Sequence, residues 1–156
     1  MANTNSNLAT AHATALTSGR SPMDPLDSGA LPIFLRGRVT CPATPTVNDT
    51  LTLVPGELIP DGSVFAPELS WIHALTGPGT ALTLDVGPSS NPDALSDALA
   101  FTAAGGKALS ASGTVPLALS SRVAHVGGED IAATVMVSTA VVATVLEFCI
   151  AYYANA

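Results

Sequence analysis

Positive charge is scarce in this chain. Lys and Arg together number five (Arg20, Arg36, Arg38, Lys107 and Arg122) against twelve carboxylates, and the formal net charge is −7. Neutralising phosphates takes clustered Lys and Arg, so this balance argues against direct nucleic-acid binding. Charged residues of both signs make up only 11% of the chain and aromatics only 4%. A monomer of this composition would present a neutral, rather apolar surface, which points to life in an assembly. The start of the chain, MANTNSNLATAHATALTSGR, lacks a basic segment followed by a continuous apolar run. It does not read as a secretory signal, and synthesis in a cytosol is expected. The two cysteines, Cys41 and Cys149, could pair only if the fold brought their Cα atoms within about 7 Å. Two unpaired thiols in a reducing compartment is the simpler reading.

Local signatures of chemistry are also missing. His12, His73 and His125 are far apart, and no H-x-x-x-H or C-x-x-C pair marks a zinc site. No G-x-S-x-G elbow orders a nucleophile. The G-x-G in TGPGTALTLDVG precedes a strand pattern and not a helix, which removes the phosphate-loop reading. Asp85, Asp93, Asp97, Glu129 and Asp130 do not follow the spacing of a calcium loop and read as capping or solvated acids. Trp71, Tyr152 and Tyr153 could serve a sugar-binding face, though so few rings suit core packing or subunit contact better. No catalytic residue, cofactor or metal site is therefore expected.

What the chain does have is apolar alternation. Residues 131–153, IAATVMVSTAVVATVLEFCIAYY, carry one charge, Glu147, and are long enough to cross a bilayer. Ten of these residues are β-branched, no Lys or Arg flanks them, and the pattern has period 2. Thr144, Leu146, Phe148, Ile150 and Tyr152 share one face, and Ile131, Ala133, Val135 and Val137 another. Two adjacent strands with a turn near 138–142 are predicted, with Leu146, Phe148 and Ile150 in the core and no membrane span. Upstream, IFLRGRVT, TLTLV, a strand interrupted by Pro67, and TALTLDVG with Leu82, Leu84 and Val86 read as further strands. The one helix-like piece is NPDALSDALAFTAAGG, where Asn91 or the preceding Ser90 can cap and Pro92 suits the first turn. Short strands broken by Gly and Pro, with no long helical crossovers, predict an all-β protein. The expected fold is an antiparallel β-sandwich of jelly-roll type with about eight strands and one short helix. Residues 1–30 are polar and read as an extended N-terminal arm. Residues 31–156 form the sandwich domain.

The order LVPGELIPDGSVFAPELSWIHAL, TALTLDVG, NPDALSDALAFTAAGG and a strand-rich tail ending in Tyr resembles the decoration or cement proteins of tailed bacteriophages. The resemblance covers roughly residues 50–153 and rests on turn-and-strand patterns, not on a chemical signature. It implies a non-enzymatic virion protein on the outside of the capsid, with the major capsid protein as partner and a homotrimer as the oligomeric form. In the arm, Leu8, Leu16, Met23 and Leu26 are the large apolar residues available to contact a capsid or a neighbouring copy. Two other readings stand beside it: a different virion component, such as a head-fibre base or tail protein, and a carbohydrate-binding β-sandwich module.

Overall fold

The computed structural model describes residues 31–109 and 124–154. The arm, residues 1–30, and its four apolar residues Leu8, Leu16, Met23 and Leu26 lie outside the described residues. Nine strands follow in chain order: β1 (Ile33–Cys41), β2 (Thr50–Val54), β3 (Val64–Phe65), β4 (Trp71–Ala74), β5 (Gly79–Pro88), β6 (Ser96–Phe101), β7 (Gly105–Ala108), β8 (Ile131–Val141) and β9 (Thr144–Tyr153). Among the described residues two short 3₁₀ turns are complete, Gly56–Leu58 and Pro67–Leu69. One sheet runs β1-β9-β4-β7, with β3 also paired to β9. The other runs β2-β8-β5-β6. Every strand pair is antiparallel.

The two sheets enclose one core. β5 sends Leu82, Leu84 and Val86 inward, all fully buried, as period-2 alternation requires. β9 answers from the other sheet with Leu146, Phe148 and Ile150, at 0%, 5% and 0% exposure. Phe65, Ile72, Leu95, Phe101 and Ile131 complete the same cluster. Near its C-terminal end β9 is covered on its outer face as well. There Ala151 and Tyr153 pack with Ala66, and the Ala66 amide donates to the Ala151 carbonyl at 2.9 Å. Pro67 interrupts the strand between β3 and β4 by starting a 3₁₀ turn, because its ring removes the ladder donor.

Residues 131–153 are two strands, but they lie in opposite sheets. β8 pairs with β2 and β5, and β9 with β1, β3 and β4. Only Val142 and Ala143 separate them, so the chain crosses from one sheet to the other instead of closing a hairpin. Val137 was expected on the same face as Val135, which is buried, yet it is 44% exposed. The reason is a bulge. Thr83 faces Val137 and Leu84 faces Val135, leaving Met136 as an extra residue that flips the alternation.

The expected short helix within 91–106 is absent. Residues 88–95 make turns, with the Asn91 amide on the Pro88 carbonyl at 2.9 Å and the Leu95 amide on the Val86 carbonyl at 2.8 Å. The chain then becomes β6. A second bulge sets Asp97 and Ala98 opposite Asp85, and Asp85 Oδ1 accepts the Ala98 N–H at 2.8 Å. Burial of Leu95, Leu99 and Phe101 in the core outweighs the capping signals, because local helix propensity is worth only tenths of a kcal/mol per residue.

Candidate functional site

The topology collects the connections into two groups. At one end lie the loops 42–49 (β1–β2), 75–78 (β4–β5), 102–104 (β6–β7) and 142–143 (β8–β9). Backbone bonds tie them together. The Thr44 amide donates to the Val141 carbonyl at 3.1 Å, Val142 to Pro78 at 2.8 Å, and Leu75 to Val145 at 2.9 Å. Their residues are Pro, Ala, Thr, Val, Gly, Leu and Asn, with one charge, Asp49. Val47, Leu75 and Val142 are exposed by 55%, 40% and 52%. Asp49 is turned back on its own loop, where its carboxylate accepts the Thr46 N–H at 2.7 Å and the Thr46 hydroxyl at 2.8 Å. Those two bonds hold its pKa below the ordinary value, the backbone bond contributing most.

At the other end lie the loops 55–63, 66–70, 89–95 and the segment 124–130. They carry Glu57, Asp61, Glu68, Asp93, Glu129 and Asp130 and no Lys or Arg. Three of these acids hold loops in place. Asp61 Oδ1 accepts the Gly127 N–H at 2.8 Å, and Asp130 Oδ1 accepts the Gly56 N–H at 2.9 Å. The Ser90 hydroxyl donates to Glu129 Oε2 at 2.9 Å. His125 is buried among them, with its ring edge-on to Phe65 at 5.9 Å and Nε2 3.0 Å from the Glu129 carbonyl oxygen. A carbonyl only accepts, so Nε2 is the donor. Among the described residues, no three His, Cys, Asp or Glu side chains come together in a way that could hold a metal ion.

A third feature sits on the outer face of the β1-β9-β4 sheet. Leu35 and Val39 pack against the core, so Arg36 and Arg38 point outward. Trp71, His73 and Glu147 do the same, since Ile72, Ala74, Leu146 and Phe148 point inward. The register lines them into two rows across the strands, Arg36–Cys149–Trp71 and Arg38–Glu147–His73. Arg38 Nε donates to Glu147 Oε1 at 2.7 Å, and the two form an ion pair. A shallow depression of about 330 Å³ opens between Arg36, Arg38, Trp71 and Glu147.

Cys41 and Cys149 are free thiols, both buried. Cys41 lies opposite Thr144 and Cys149 opposite Arg36, so they stand at different heights on the β1–β9 ladder. Burial pushes the Cys41 thiol pKa up, and the nearby Asp49 charge adds to the effect. Sequence reasoning placed Leu146, Phe148 and Ile150 in the core. It singled out Trp71 but missed its neighbours Arg36 and Arg38, because their proximity comes from pairing β1 and β4 with the distant β9. Among the described residues no helix is long and apolar enough to cross a membrane. The chain gives no significant match to any family model, curated protein or solved structure.

Proposed function

We propose that this is a non-enzymatic structural protein of a phage particle, which binds the outside of the assembled capsid and stabilises it. The observation that carries the reading is the charge-poor loop end, where Val47, Leu75 and Val142 stand exposed on loops cross-tied by backbone bonds. Interface centres are depleted in charge and tolerate such residues, whereas solvent-facing loops ordinarily favour polar ones. The fold supports the same reading. With the two-residue β3 set aside, each sheet holds four strands, and every connection but β5–β6 passes from one sheet to the other. That winding favours a jelly roll, an architecture that recurs in viral capsid and lectin domains.

In this reading the partners are the major capsid protein and further copies of the chain, arranged as a homotrimer. The protein needs no cofactor and contacts neither nucleic acid nor membrane. It is made in the host bacterial cytoplasm and ends on the virion. The mechanism is linkage: a ligand bound by the assembled lattice and not by free subunits stabilises the lattice. The arm reaches a neighbouring subunit through Leu8, Leu16, Met23 and Leu26, while the loop end supplies a second contact. Purified protein titrated onto undecorated capsids should bind saturably and raise their disassembly temperature. Val47→Asp with Val142→Asp should weaken that binding about tenfold or more while leaving folding stability within about 0.5 kcal/mol, as is usual for exposed sites. Removal of residues 2–28 should weaken it as well. Failure of the intact protein to bind the particle would end the proposal.

A further inference from the structure

We infer that the depression on the outer face of the β1-β9-β4 sheet is a binding site for a saccharide carrying a ring carboxylate, of the hexuronic-acid class. The inference is independent of the capsid reading and concerns a different surface from the loop end. Three observations carry it. First, the row Arg36–Cys149–Trp71 has a tall side chain on each flank and a short, buried one between. Adjacent strands are about 4.8 Å apart, so the outer two stand on the order of 10 Å apart. Cys149 itself is covered; the depression lies between this row and the Arg38–Glu147 row, over the Gly37–Phe148 pair, and one sugar ring would sit there. Second, the Arg36 guanidinium is exposed and makes no hydrogen bond or ion pair with a described residue, whereas that of Arg38 is held by Glu147. Arg36 is thus the guanidinium free to take a carboxylate in a two-pronged bond. Third, the depression holds an aromatic face, a cation and a carboxylate together. Its volume lies near the lower end of small-molecule sites.

Charge selects the ligand class. Glu147 and a net charge of −7 repel a polyphosphate or nucleic acid. A uronic acid brings one negative charge for Arg36, hydroxyls that donate to Glu147 and accept from Arg38, and an apolar ring face for Trp71. A neutral sugar would leave Arg36 unused.

The test titrates the isolated full-length protein with a trimer of galacturonic acid, a neutral galactose trimer and a tri-glutamate peptide, followed by calorimetry and Trp71 fluorescence. The uronate should bind about tenfold or more tighter than either control, with a change in indole emission. Arg36→Gln should lower uronate affinity about tenfold, the range for losing one charge-assisted bond, and should leave neutral-sugar affinity unchanged. Arg36→Lys should fall between. Because Arg36 is exposed, these variants should melt like the parent chain, which keeps the result clear of misfolding. No uronate binding at millimolar concentration would overturn the inference. So would tighter binding of the peptide, or full affinity in Arg36→Gln. Such a failure would leave capsid binding untouched, because capsid titration reads the loop end.

Discussion

At one end of the sandwich the loops carry a single carboxylate, Asp49, and expose Val47, Leu75 and Val142. At the other end their described residues carry six carboxylates and no Lys or Arg. The difference is not simply one of polarity. The acidic end spends its charge internally. Asp61 and Asp130 accept backbone N–H groups of distant glycines, standing in for ladder bonds that irregular loops cannot make. The charge-poor end orders itself mainly with backbone bonds, such as Thr44 to Val141 and Val142 to Pro78, helped by the Thr76 and Thr144 hydroxyls and by the Asp49–Thr46 turn. Its side chains are therefore free to face outward. One end uses side chains to build loops, and the other uses the backbone to present side chains.

If both ends are mounted on one body, damage to the centre should loosen both together. Leu146 is fully buried between the sheets, so Leu146→Ala should cost about 2–5 kcal/mol. Glu147→Gln, on the outer face of the same strand, should cost about 1 kcal/mol or less, since an exposed ion pair contributes little. Denaturant melts of the two variants check this. Equal losses would mean that β9 does not present one core face and one outer face.

Glycine probes each end separately. Gly79, at the charge-poor end, has φ +110°, and a Cβ there would strike the Ala140 carbonyl oxygen. Gly56, at the acidic end, would strike the backbone of Gly128 and Glu129. Gly79→Ala should cost about 1–3 kcal/mol in backbone strain on top of the collision. Gly56→Ala should cost about 1–3 kcal/mol through overpacking. Hydrogen exchange should show each loss confined to its own loops before global unfolding. Spread across both ends, it would erase the distinction between them.

The difference in how the ends use charge can be tested next. Asp130→Ala removes the acceptor for the Gly56 N–H and should cost about 1–3 kcal/mol, the range for stranding one donor. Asp93→Ala, on an exposed acid of the same end, should change stability by about 0.5 kcal/mol or less. Thermal melting of the pair would show whether the acids of this end are structural or merely solvated.

Much of this frame was legible in the residues. Period-2 alternation marked β5 and β9, and Leu146, Phe148 and Ile150 lie where that pattern placed them. Two departures from that pattern involve a bulge. Val137 faces out because Met136 is an extra residue against β5, and residues 96–101, drawn into the core by Leu99 and Phe101, pair with β5 through a bulge that sets Asp97 and Ala98 opposite Asp85. A bulge is defined by the partner strand, which single-strand periodicity cannot see. The same limit hid the row of Arg36 and Trp71, and it hid the two ends. The acids of loops 55–63, 89–95 and 124–130 look scattered along the chain. They gather only when alternate connections fall at the same end of the sandwich.

The smallest expected effect concerns the one acid of the charge-poor end. Asp49 is fully exposed, yet its pKa is lowered by the Thr46 N–H and hydroxyl bonds, against a small opposing desolvation. Lowering means that the folded state favours the carboxylate more than the unfolded chain does. The contribution is present above the unfolded value, near 3.8, and is lost as pH falls through the lower folded value. Asp49→Ala removes it at every pH. The parent chain should therefore melt slightly above Asp49→Ala at pH 6, and the gap should narrow as the pH drops below about 4. Thr46→Val, which deletes only the hydroxyl bond, should remove the smaller part of the gap, because the backbone bond is the larger cause. A gap that stayed constant down to pH 2 would mean that the 46–49 turn is held by its backbone geometry, with Asn48 at φ +73°, and not by the carboxylate. The charge-poor end would then owe nothing to charge at all.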